Sequence, residues 1–130
     1  MRVIILPKEY EEANHMFSIF YSAAFGGTGA KDVAGARKLM KLQDEIEAIS
    51  TEEDVPQEEL PNGVKRDTRR VLNRRTKELK IEDSHWSLLK SRIYSDDIRW
   101  AAGVTRQVLR AFDAVEGAEE VRSANEKAAT

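Results

Sequence analysis

Apolar positions along this chain change their period several times, and each change marks the boundary of an element. Residues 2–6 (RVIIL) form a short, largely β-branched run closed by Pro7, which predicts a first strand. Pro7 also suits a first helical turn, and over residues 8–25 the positions Tyr10, Ala13, Phe17, Phe20 and Ala24 recur at helical spacing. Met16, Ile19 and Tyr21 widen that stripe. A helix this apolar is buried on more than one side, or it keeps a face for a partner. Met16, Phe17, Phe20 and Tyr21 are accordingly the candidate apolar interface. Gly26-Gly27-Thr28-Gly29 breaks the pattern. A second helix is predicted over residues 31–49, with Val33, Ala36, Leu39, Leu42, Ile46 and Ile49 inward. The short glycine-rich connection predicts that the two helices fold back on each other as a hairpin.

Hydrophobic content falls over residues 50–63, where Pro56, Pro61 and Asn62-Gly63 predict a loop. Beyond it, residues 69–72 read as one strand, 73–76 as a turn and 77–81 as the antiparallel mate, with the first strand joining this hairpin. A single helix over 64–79 is the alternative, since Val64, Val71, Leu72 and Leu79 could share one side. The period switches most sharply within residues 76–93. Leu79 and Ile81 alternate with Glu78, Lys80 and Glu82, whereas Trp86, Leu89 and Ile93 step by three and four. Asp83 or Ser84 is expected to cap the helix that begins there and runs to about residue 94. Ser95-Asp96-Asp97 can end it and cap a last helix traced by Trp100, Val104, Val108, Ala111, Phe112 and Val115, with Gly117 at its close. Residues 122–130 are small and polar, and read as a frayed tail after one compact domain over 1–121. The expected fold is α+β and helix-dominated, about four helices packed on a small antiparallel sheet. An all-α bundle is the alternative.

At 130 residues the chain is long enough to bury roughly two-thirds of its unfolded surface in one core. It has no cysteine, which fits a reducing compartment. No apolar run approaches the ~20 residues that span a bilayer, and residues 3–6 are too short for an export signal. A soluble cytoplasmic protein with no membrane partner is therefore expected. The net charge of −2 exerts no overall pull on nucleic acid, yet it conceals two opposed blocks. Asp44, Glu45, Glu47, Glu52, Glu53, Asp54, Glu58 and Glu59 form one, without a base among them. Lys65, Arg66, Arg69, Arg70, Arg74, Arg75, Lys77 and Lys80 form the other, diluted by Asp67 and Glu78. Arginine dominates the basic block and suits bidentate contact with phosphates or carboxylates. Lys65, Arg66, Arg69, Arg70, Arg74, Arg75 and Lys77 are thus the candidate contacts to nucleic acid or to an acidic partner. Absence of interleaved aromatics argues against stacking on single strands. Alternatively the blocks pair between subunits, giving a self-associating protein, or they face each other within one chain.

Catalytic signals are thin. GGTGAK, at residues 26–31, places glycines before a lysine at a helix start. Its spacing is not that of a phosphate loop, Asp32 stands where Ser or Thr belongs, and a helix rather than a strand precedes it. The two histidines, His15 and His85, lack partners at metal-ligand spacing. Glu52-Glu53-Asp54, Glu58-Glu59 and Asp96-Asp97 are adjacent acids whose default is solvated charge. No enzyme activity, metal or cofactor is expected.

The stretch LKIEDSHWSLLKSRI, then Trp100, then QVLRAFDAVEGAEE, covering residues 79–121, resembles the C-terminal half of small proteins encoded by tailed bacteriophages. Those typically show a strand, an acidic cap, an "LLK"-type helix, a spaced tryptophan and a last helix ending in acidic and small residues. The resemblance implies a phage accessory protein, acting in host cytoplasm either in virion assembly or in disabling a host enzyme. It carries over no functional residue. The combined expectation is a non-enzymatic protein-interaction module that self-associates or binds a host or virion protein. The alternative is a nucleic-acid-binding protein using the arginine-rich segment 65–80.

Overall fold

The computed structural model describes residues 1–95 and 98–120 of the chain. Among these the order is β1 (Arg2–Ile5), α1 (Tyr10–Phe25), α2 (Val33–Glu47), β2 (Ser50–Asp54), β3 (Thr68–Leu72), β4 (Glu78–Ile81), α3 (Asp83–Ile93), α4 (Thr105–Glu116) and β5 (Glu119–Glu120). Short 3-10 turns lie at Gln57–Glu59 and Ala102–Val104. The fold is α+β and helix-dominated, as the periodicity predicted, and the all-α alternative fails because residues 64–79 are not helical. The expected Asp96-Asp97 cap and the tail 122–130 lie outside the described residues.

Two small antiparallel sheets organise the strands. In the first, β1 is central, with β4 on one side and β5 on the other. Arg2 faces Ile81, Ile4 faces Leu79, and Arg2 and Val3 meet Glu120 and Glu119. The second sheet is a two-stranded ribbon in which Ser50 faces Leu72 and Asp54 faces Thr68. This corrects the expected 69–72/77–81 hairpin. A turn does form, with the Thr76 N–H donating to the Asn73 carbonyl at 3.0 Å, but the strands it joins belong to different sheets. The reason lies in their side chains: Leu79 and Ile81 need the apolar inner face beside Ile4, whereas Arg69 and Arg70 find their complements in Glu53 and Glu52. The expected loop over 50–63 is corrected for the same reason, since its first five residues are β2.

The core is built around α1. Phe17 and Phe20 are buried there with Leu42, Ile46, Leu89, Ala111 and Val115 from the other three helices and Ile4, Leu79 and Ile81 from the sheet. Met16 is buried as well, and Tyr21 is half-buried, stacked on Phe25 at 4.4 Å. The four residues proposed from the sequence as an apolar interface are therefore core or core-flanking residues. Their stripe is wide because α2, α3, α4 and β3 all pack on it.

Polar groups fix the ends of these elements. Gly26 closes α1, its N–H donating to the Ser22 carbonyl at 2.7 Å, and Gly27 takes a φ of +71° that favours glycine. Asp32 caps α2, its Oδ1 accepting the Gly35 N–H at 2.6 Å. The GGTGAK segment thus terminates one helix and leads into the next. Arg92 of α3 holds the same connection, donating to the carbonyls of Ala23, Gly26 and Thr28. The expected cap at Asp83 or Ser84 is replaced: Glu82 occupies the N-cap position without a side-chain capping bond, its carboxylate lying 3.7 Å from His85 Nε2. Asp83 instead lies 3.5 Å from the Arg2 guanidinium, whose carbon stacks 4.3 Å from the Trp86 ring. Val33 and Ala36, expected inward, are exposed, since only the later turns of α2 reach the core through Leu39, Leu42 and Ile46.

Because Phe20 is wholly enclosed, Phe20→Ala should cost about 3–5 kcal/mol of stability. Urea unfolding followed by tryptophan fluorescence measures this; a cost below ~1 kcal/mol would mean that Phe20 sits at a surface after all.

Candidate functional site

The arginine-rich segment forms the β2–β3 ribbon and the turn beyond it. Opposite residues on antiparallel strands bring their side chains close on one face, and here two successive pairs, Glu52–Arg70 and Glu53–Arg69, set acid against base. Arg69 Nε lies 3.2 Å from Glu53 Oε1 and its Nη1 3.0 Å from Glu59 Oε2. Arg70 reaches Glu52 at 3.3 Å and donates to the Ser50 hydroxyl at 2.9 Å. Arg66 pairs with Asp54 at 3.2 Å. Glu53–Arg69 and Glu52–Arg70 project from opposite faces, so both faces of the ribbon are locally neutralised. Arg74 lies over the Tyr10 ring at 4.1 Å. Lys65, Arg75 and Lys77 are exposed and make no ion pair among the described residues. Of the three readings of the charge blocks, the geometry matches the one in which they meet within a chain. Exposed pairs of this kind contribute only about 0–1 kcal/mol each, so they set register more than stability.

The ribbon is tied to the body at Leu72. Its N–H donates to Asn14 Oδ1 at 2.9 Å and its carbonyl accepts the Tyr10 hydroxyl at 2.7 Å, both from α1. His85 is buried at the start of α3, where its Nδ1 contacts Glu45 Oε1 of α2. The second oxygen of Glu45 accepts the Glu82 N–H at 3.0 Å. One carboxylate thereby supplies the missing cap for the first turn of α3 and holds the histidine beside it. His15, by contrast, is exposed and lines an open hollow with Glu11, Glu12, Gln107 and Arg110. Among the described residues no group of three or more His, Asp or Glu side chains could hold a metal ion.

A different surface was not singled out from the sequence. Ile4, Leu79 and Ile81 turn inward from the three-stranded sheet, so Val3, Ile5, Glu78 and Lys80 turn outward. Among the described residues no helix covers the whole of that outer face. Ile5 is 67% exposed and Met1 51%, and together with Val3 they floor a groove of about 570 Å³. Ala114, Gly117 and Ala118, at the end of α4, form one wall, and Glu78 and Lys80 rim the other. The available signal was the continuous run VIIL, which lacks the polar alternation of a strand with one wet face. No helix is long and apolar enough to cross a membrane among the described residues. No protein-family model, curated protein or solved structure matches the chain.

Two outcomes are expected. Glu45→Ala, which strands both His85 and the Glu82 N–H, should destabilise the fold by about 1–3 kcal/mol in urea unfolding. Glu52→Gln with Glu53→Gln should raise the salt needed to elute the chain from a heparin column, because it frees the arginines those acids engage without adding a base. The unchanged chain should elute at low salt. Strong retention of the unchanged chain would show that the ribbon presents net positive charge despite its pairs.

Proposed function

We propose that the chain is a non-enzymatic protein-interaction module whose docking surface is the outer face of the three-stranded sheet. The observation that carries this reading is the row Met1, Val3 and Ile5, apolar and open at Met1 and Ile5, on a sheet whose other face buries Ile4, Leu79 and Ile81. Exposed apolar rows cost solubility unless something covers them. Covering this one returns about 25 cal/mol for each Å² removed from water. The apolar floor defines the occupant: an apolar segment of another protein, its polar flanks meeting the mixed-charge rim of Glu78 and Lys80. The resemblance of residues 79–121 to small proteins of tailed bacteriophages supports a phage accessory role, with a host or virion protein as partner and the host cytoplasm as setting. Nucleic-acid binding through Arg66, Arg69 and Arg70 is less well supported, since each already meets a carboxylate that a phosphate would have to displace.

A photo-reactive benzophenone side chain at position 5 tests the reading, with position 40 on the exposed face of α2 as control. Protein–protein adducts from position 5 and none from position 40 are expected, and Ile5→Lys should abolish partner binding while leaving the circular dichroism unchanged. If position 5 gives no adduct of higher mass, the reading fails.

A further inference from the structure

The edge of β4 borders the apolar face at Glu78 and Lys80. In the strand order β4-β1-β5, the far side of β4 has no neighbouring strand among the described residues. The Leu6 N–H donates to the Lys77 carbonyl at 3.1 Å, which fixes the phase of the ladder. Residues 77, 79 and 81 direct their backbone groups to β1, and Glu78 and Lys80 direct theirs away from it. The bond from the Glu82 N–H to Glu45, off the β1 side, keeps the same phase. Among the described residues, no backbone hydrogen bond leaves Glu78 or Lys80 on the side away from β1.

We propose that this stretch pairs with the same stretch of a second copy of the chain, antiparallel and about a two-fold axis through Leu79. That register sets Glu78 of one copy opposite Lys80 of the other, twice over. The residues placed opposite are the two whose N–H and C=O groups point outward, so both form hydrogen-bonded pairs. Their side chains lie on the same outer face, where Lys80 Nζ already stands 3.7 Å from Glu78 Oε1 within one strand. The charges therefore exchange partners across the axis with no like-charge contact. A lysine alone on an edge strand repels an incoming copy; a glutamate two residues away turns that defence into self-recognition. Pairing at this edge joins the two sheets into one, β5-β1-β4-β4-β1-β5. It sets the two rows of Met1, Val3 and Ile5 on the same side, so the dimer presents a double copy of the docking face.

Light scattering and sedimentation of the intact chain over a wide concentration range provide the test. The unchanged chain is expected to move from 14.7 kDa towards twice that mass as concentration rises. Lys80→Pro removes an N–H that β1 does not use, so it should leave the fold intact by circular dichroism and hold the chain at monomer mass. Glu78→Lys should weaken the dimer by about tenfold or more, and Glu78→Lys with Lys80→Glu should restore it to within about threefold. A monomer at every concentration overturns the pairing, as does a dimer indifferent to Lys80→Pro or to the charge reversal. Neither result touches the apolar-face reading, because position 5 reports on that face separately and Ile5→Lys should leave the dimer intact.

Discussion

Burial of a wide face of α1 is the constraint from which the remaining architecture follows. Its stripe of Ala13, Met16, Phe17, Ile19, Phe20, Ala23 and Ala24 is too wide for one neighbour. It is closed by α2, α3, α4 and β3 together. Small residues at Ala23 and Ala24 let the end of the helix be approached closely, and Arg92 and Gln43 fasten that end through its free carbonyls. At its start, Tyr10 and Asn14 do the same for β3. One helix thus fixes the position of both the helical layer and the ribbon, and the three-stranded sheet packs its inner face on what remains of the core.

Charge segregation along the chain serves a local purpose in this arrangement. A ribbon of two short strands has little apolar area of its own, and β2 (STEED) contains no residue that a core would retain. Its pairing is specified by Glu52, Glu53 and Asp54 meeting Arg70, Arg69 and Arg66. A register shifted by one residue would separate most of these pairs and also withdraw Leu72 from α1. Blocks that look like an electrostatic surface in one dimension are, once folded, a specification of strand register. The consequence for function is direct: an arginine facing a carboxylate at about 3 Å is a poor phosphate ligand, since the phosphate must first displace the carboxylate.

How much of this was legible in the sequence follows from what each element depends on. The helices were legible because their apolar positions recur, and the switch from Leu79 and Ile81 to Trp86, Leu89 and Ile93 marked a strand leading into a helix. The pairing of strands was not, because Leu79 records that it needs an apolar neighbour without recording which one. β2 was invisible to hydrophobicity, and its signal lay in complementarity with a block some fifteen residues away, which fitted pairing within or between chains equally well. Capping by Glu45 across a tertiary contact could not be read locally, and the nearer Asp83 and Ser84 drew attention instead. As for the candidate site, Phe17 and Phe20 were apolar enough to suggest an interface, but apolarity alone does not distinguish a core from a docking surface. Ile5, exposed, lies in a strand whose continuous apolar run implied cover on both faces.

That partly covered strand connects the two proposed recognition elements. β1 is flanked by β4 along its whole length but by β5 at only Arg2 and Val3, so the sheet is narrow and the wall formed by the end of α4 stands close beside it. A narrow sheet has a large ratio of edge to face, and both are exposed here: the face at Ile5, the edge at Glu78 and Lys80. Evolution commonly blunts such edges with isolated charges or proline. In this chain the edge carries one charge of each sign in self-complementary order, and the face beside it is left apolar. The two features reinforce each other physically, because widening the sheet through its edge enlarges and rigidifies the surface on which an apolar partner would lie.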